Sequence, residues 1–262
     1  MDRNLIDIDH LMVAVDDSQM AGEQFARLGF TVTERSILPG LSNRLICFGP
    51  GRQNTCNYIE LMSLDDAETA PPPMPTLLPG PERAVSLVMS TSSAAGSADY
   101  LGGVGIAATD VIDLKRDWPL PSGEVIQPEF SVVIPTPGQA PFYWNLCQHK
   151  TPQHYARPEF TTHDNGARRL SAIIAVADDP DAAACHYQQH WGAAISCQDP
   201  VSVTVGDVTL RIYSPAGFQQ TFPGIAAPQN GLAGFAVAAD SFRLIPPEDA
   251  CGCVVVFEPV QG

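Results

Sequence analysis

A chain of 262 residues, 45% of them hydrophobic and 16% charged, has the composition of an ordinary globular protein with a substantial core in one or two domains. Its 29 acidic against 14 basic side chains give a formal charge of −15, which repels nucleic-acid backbones and anionic lipid and leaves a small molecule as the natural partner. No apolar run approaches the roughly 18 residues that span a membrane, and the opening MDRNLIDIDH lacks the basic and apolar regions of a secretory signal, so a cytoplasmic protein is expected.

In chain order, residues 8–15 read as a strand whose alternation puts His10, Met12 and Ala14 on one face and Leu11, Val13 and Val15 on the other. Asp16-Asp17-Ser18 then suit a helix N-cap, Ala21, Phe25 and Leu28 share a helical face, and Gly29 closes the helix. Residues 30–34, 43–48 and 57–64 are strand candidates, and in the last of them Tyr58, Glu60 and Met62 share a face. Residues 70–81, rich in proline, read as a connector that continues neither strand nor helix. A second module follows in partly degraded form, with strands at 84–90, 104–108, 125–134 and 142–148 and a small-residue helix near 94–101. Residues 151–166 form another connector, whose His163-Asp-Asn-Gly166 reads as a turn.

Beyond it, Ala172-Ile-Ile-Ala-Val-Ala-Asp-Asp179 repeats His10-Leu-Met-Val-Ala-Val-Asp-Asp17 at an offset of 162. A helix to Trp191-Gly192 and strands at 194–198, 201–205 and 208–213 complete this copy. A shortened fourth unit is expected from 232–239 and 252–258. The chain is thus α+β, built from repeated βαβββ modules, with its halves at residues 1–160 and 161–262.

Seven cysteines, Cys47, Cys56, Cys147, Cys185, Cys197, Cys251 and Cys253, are an odd number without CxxC spacing, so reduced, mostly buried thiols are expected. Phosphate-cradling GxxxxGK, GxGxxG, GxSxG and HExxH motifs are absent, which removes support for nucleotide hydrolysis, dinucleotide redox chemistry and serine hydrolysis. Glu60 stands inside an apolar strand and needs a cation, a metal or a proton. His10 is a fitting neighbour, and either a metal site or a buried His–Glu hydrogen bond would satisfy both.

Ile8-Asp-His10 with Val13-Ala-Val-Asp16, Leu28-Gly-Phe30, Ser42-Asn-Arg-Leu45 and Tyr58-Ile-Glu-Leu61 resemble the glyoxalase-like domains of the vicinal oxygen chelate superfamily. Cys147-Gln-His149-Lys-Thr-Pro152, Arg157-Pro158 and His163-Asp-Asn-Gly-Ala167 are similar to that group's segment between halves. The resemblance implies modules paired into two cupped half-barrels and a divalent metal (Mn, Fe, Ni or Zn) held by His10 and Glu60 as catalytic ligands. His149 is the best third donor and Gln148 or Asn145 weaker ones, since residues 84–90 carry no histidine. By analogy Asn43 and Arg44 stand at the cavity rim, Tyr58, Tyr143 and Trp144 line it, and His163 passes nearby. Arg116 and Glu124 receive no role.

In the C-terminal copy Ala172 replaces His10 and Arg211 replaces Glu60, so that half reads as a structural partner, with Arg211 either solvated or holding an anion. Two functions stay open: a metal-dependent lyase, isomerase or dioxygenase-type enzyme acting on a small oxygenated metabolite, and a metal-free binding or sequestration protein using the same cup. A homodimer is expected from the exposed edges such modules leave.

Overall fold

The computed structural model describes residues 2–49, 51–52, 56–196 and 198–260. Cys197 lies outside these, and the other six cysteines are free thiols, five of them buried.

The first module runs β1 (Leu5–Val15), α1 (Ser18–Arg27), β2 (Ser36–Leu38), β3 (Leu41–Phe48) and β4 (Asn57–Leu64). Helix α1 starts because Asp17, in extended conformation, accepts the amides of Gln19 and Met20, and it ends at Gly29, whose φ is +87°. The strand expected at 30–34 is displaced to 36–38. The turn at Pro39-Gly40, with Gly40 at φ +65°, sets Leu38 opposite Leu41 and limits pairing to the residues just before it. The connector also departs from expectation, since it contains the short helix α2 (Met74–Leu77). Its prolines sit at the cap and in the first turn, where a missing amide costs nothing.

The second module is complete rather than degraded: β5 (Arg83–Thr91), α3 (Ala94–Gly103), β6 (Ile112–Lys115), β7 (Trp118–Pro119), β8 (Val125–Ile126), β9 (Glu129–Val133) and β10 (Trp144–His149). No strand forms at 104–108, where Gly105 turns at φ +78° and one isolated bridge joins Ala108 to Pro135. Pro128 has no amide to donate and divides the expected strand 125–134, leaving β8 to pair with β7 as a separate hairpin. After α4 (Pro158–Thr161), the third module is β11 (Arg169–Val176), α5 (Pro180–Trp191), β12 (Ala194–Ser196), β13 (Val201–Thr204) and β14 (Thr209–Tyr213). Helix α6 (Pro215–Thr221), which the sequence reading missed, leads to β15 (Gly231–Ala239), β16 (Arg243–Ile245) and β17 (Val254–Pro259).

The first sheet has the order β2-β3-β4-β1-β5-β10-β9-β6 and the second β12-β13-β14-β11-β15-β17-β16, each curled into a half-barrel. In both, the central antiparallel pair joins two modules, β1 with β5 and β11 with β15. The repeat extends to irregularities. Register shifts between Ile8 and His10 and between Met12 and Val13 recur between Leu170 and Ala172 and between Ile174 and Ala175.

The helix-covered faces of both sheets share one buried cluster that includes Leu11, Val13, Phe25, Ile173, Phe235 and Phe257. Burying each such side chain contributes about 1.5–3 kcal/mol. The concave faces carry separate clusters. No helix among the described residues is long and apolar enough to cross a membrane.

Candidate active site in the first cup

Strict alternation would face Asp9 toward the core, but the bulge between Ile8 and His10 changes the count. Ile8 and Leu11 both enter the core, and the two residues between them turn together into the concave face. Asp9 is 1% exposed, and its Oδ2 meets both His10 Nδ1 at 2.7 Å and His149 Nε2 at 2.9 Å. On the far side of the ring, His10 Nε2 stands 3.4 Å from Glu60 Oε2. The parallel register of β1 and β4 sets Tyr58 beside His10, and their rings stack at 4.1 Å and 16°. Asn43 donates to Glu60 Oε1 at 2.5 Å and accepts from Ser36 Oγ, so the carboxylate is held from both sides.

The electrostatics follow from this chain. Burial pushes the Asp9 and Glu60 carboxyls up, yet the imidazoles outweigh it and leave both below the usual carboxylate range. Glu60 is further lowered by the Arg116 charge and the Asn43 hydrogen bond. Burial alone would depress His10, but its hydrogen bonds to Asp9 and Glu60 and their charges raise it above the ordinary value. Burial opposes protonation of His149 too, and the Asp9 charge more than offsets it. The floor of the cup is a row of alternating charges, His149, Asp9, His10, Glu60.

Above this floor is a cavity of about 240 Å³. Met12, Leu38, Leu41, Met62, Met74, Val88, Leu114, Phe130, Val132 and Ile134 make it largely apolar. The proline-rich connector supplies Thr69, Pro71 and Pro72 to the wall. The β7–β8 hairpin and the segment after β10 close one side, where Trp118, Ile126, Tyr155 and Phe160 pack on Tyr58 and Leu45.

Of the residues singled out from sequence, His10, Asn43, Tyr58, Glu60 and His149 meet in this cup, and Arg44, Tyr143 and His163 do not. Arg44 neighbours Asn43 on β3 and points to the other face, where it donates to the Thr33 carbonyl and Gln19. Tyr143 precedes β10 and lines a separate groove with Arg83, Phe218 and Asn230. His163 packs on Phe30 and Phe48, accepts from the Thr31 amide and donates to the Cys47 carbonyl, and burial lowers its pKa. It is a neutral tie between the connector and β3.

Two residues carried more than the sequence reading gave them. Asp9 was hidden by the bulge, which alternation cannot anticipate. Arg116, left without a role, is 6% exposed in the wall of the cavity.

The second cup holds different chemistry. Arg211 pairs across β14 to Ile174 as Glu60 does to Met12, so the expected correspondence is the structural one. There Arg211 makes a two-pronged ion pair with Glu258, rather than standing free in solvent.

A divalent metal fits these residues poorly. Its expected third donor, His149, spends Nε2 on Asp9, and Ser86 and Asn145 occupy the second module's strands facing the cup. Among the described residues no group of three or more His, Cys, Asp or Glu side chains is placed to hold a metal ion.

Paired βαβββ modules around a polar-floored cup define a protein of the vicinal oxygen chelate superfamily. Within it, the chain belongs to the glyoxalase-like domain family, whose model matches residues 8–191. A Staphylococcus aureus structure described as a hypothetical protein matches with a TM-score of 0.69 at 11% identity, covering 96% of this chain and 98% of that one. A xylose isomerase-like TIM barrel/4-hydroxyphenylpyruvate dioxygenase fusion protein matches 90% of this chain and 37% of its own, with a TM-score of 0.51 and 11% identity. A methylmalonyl-CoA epimerase variant from Streptomyces coelicolor covers 56% of this chain and 99% of its own at 16% identity, with a TM-score of 0.43. No curated protein matches the chain.

Proposed function

We propose that the first cup binds a small, largely apolar oxygenated molecule and presents to it the His10–Glu60 pair as a proton donor and acceptor, without a resident metal. The observation that carries this reading is the His149–Asp9–His10–Glu60 row beneath an apolar cavity. Titratable groups whose pKa values are driven apart by one another, set under a ligand-sized hollow, are the arrangement that general acid–base chemistry uses. Asp9 orients the His10 ring through Nδ1, and Asn43 fixes Glu60, so the Nε2 and Oε2 atoms are the ones left to act on a ligand. The reaction class this favours is proton transfer of the isomerase or lyase kind. A protein that only binds or sequesters its ligand would use the same cup.

The second reading is a metal-dependent enzyme, favoured by the convergence of His10 Nε2 and Glu60 Oε2 on one point. Metal content separates the two. Protein purified without chelator, analysed by plasma mass spectrometry before and after incubation with manganese, iron, nickel and zinc, is expected to hold well under one metal per chain, as are His10→Ala and Glu60→Ala. Near-stoichiometric metal in the wild type, lost in both variants, overturns the metal-free reading. Edge strands β2, β6, β12 and β16 support the proposal of a homodimer, which sedimentation would test.

A further inference from the structure

We propose that the ligand of the first cup is a monoanion with a carboxylate head and an apolar body, and that Arg116 is its clamp. The inference rests on the reading of this cup as the ligand site and adds the ligand's charge and head group.

The guanidinium of Arg116 is buried in the cavity wall, and no hydrogen bond or ion pair to its side chain is found among the described residues. The rings found against it are aromatic, with Cζ 5.2 Å from the centre of the Trp118 ring and 5.8 Å from that of Tyr155, and its charge reaches Glu60 only through space. Those faces orient the fork and leave its N–H groups unspent. More exposed arginines of the same chain are paired, Arg35 with Asp65, Arg157 with Glu159 and Arg211 with Glu258. In a protein of charge −15, this buried arginine without a carboxylate partner faces a ligand-sized hollow.

The Asp9 and Glu60 carboxylates already lie in the floor of this cup, and Arg116 is the one arginine lining it among the described residues. A dianionic phosphate would meet two carboxylates with one free cation, whereas a carboxylate matches the planar fork two atoms to two. The rest of the hollow, with Met12, Met62, Met74, Leu114, Phe130 and Val132, suits an aliphatic or aryl body, and methionines adapt to its shape. The cavity of about 240 Å³ is slightly below the usual range for ligand pockets, so the body is slender.

The test is calorimetric titration of the full chain with octanoate and, as the uncharged match, 1-octanol, on wild type, Arg116→Gln and Arg116→Lys. Octanoate is expected to bind the wild type about ten- to a hundredfold more tightly than octanol, the range of charge-assisted hydrogen bonds. Arg116→Gln is expected to lose that preference and keep the octanol affinity, and Arg116→Lys to keep part of it. Ligand-free Arg116→Gln is expected to melt at or above the wild-type temperature, because it no longer buries an unpaired cation. Octanol bound as tightly as octanoate, or a preference that survives Arg116→Gln, overturns the clamp and leaves the cup as a ligand site. Neither probe binding to the wild type overturns both. A large fall in melting temperature on Arg116→Gln also overturns the clamp, since it would make Arg116 a structural cation.

Discussion

Asp9 is the residue on which the floor of the cup depends, because one carboxylate oxygen serves two imidazoles out of reach of water. Asp9→Asn keeps the shape and removes the charge, and is expected to cost about 3–5 kcal/mol, as breaking a buried ion pair does. Urea unfolding at pH 6 measures it, and a loss below about 1 kcal/mol would show that the row contributes little. The pH dependence has a definite sign. His10 and His149 titrate above their ordinary value in the folded protein, so their contribution is full below about 6.5 and is lost as pH rises through the folded values. Asp9 and Glu60 titrate below theirs, so their contribution is present above about pH 4 and is lost as pH falls. Stability is therefore expected to peak between about pH 4.5 and 6.5 and to decline as pH rises above that window, with the alkaline decline flattened in Asp9→Asn. At this scale the sequence made His10 and Glu60 legible, since a carboxylate in an apolar strand announces a need. Asp9 was illegible, because a one-residue bulge reverses the face of every residue before it.

At the scale of elements, the strands with strong alternation were readable, and the failures fall where a turn or a proline decides pairing. The Pro39-Gly40 turn moved β2, and Pro128 made the β7–β8 hairpin that closes the cup. Neither consequence is visible in local propensity, because both depend on which neighbouring strand is in reach. The turn also yields a prediction. A Cβ at residue 40 would press on the Asp66 carbonyl and the Ala70 amide, and Gly40 holds φ +65°, so Gly40→Ala is expected to cost about 1–3 kcal/mol. Because Leu38, Pro39, Leu41 and Thr69 border the cavity, the same substitution is expected to weaken octanoate binding. Wild-type melting and affinity in Gly40→Ala would show that the rim does not shape the cup.

Over the whole molecule, the repeat was legible because it preserves capping and punctuation at a fixed offset, and the shared core was not, because it joins residues far apart in sequence. Tyr187 shows the joint: its hydroxyl donates to the Phe142 carbonyl and accepts from the Phe142 amide, across the two halves. Tyr187→Phe leaves both backbone groups buried and unpaired, and is expected to cost about 1–3 kcal/mol in thermal unfolding while both halves still melt together. Two separate transitions in the variant would show that the halves are held by little else.

Glu258 against Arg211 means that the second cup carries its own counter-ion. A chain made by copying a unit has two hollows to maintain, and one that answers its own charges no longer depends on any outside molecule. On the proposed function, substitutions there are judged by folding alone, those in the first hollow by folding and occupancy. Matching positions in the two copies should accordingly drift at different rates, the self-satisfied hollow faster than the one that waits for a guest.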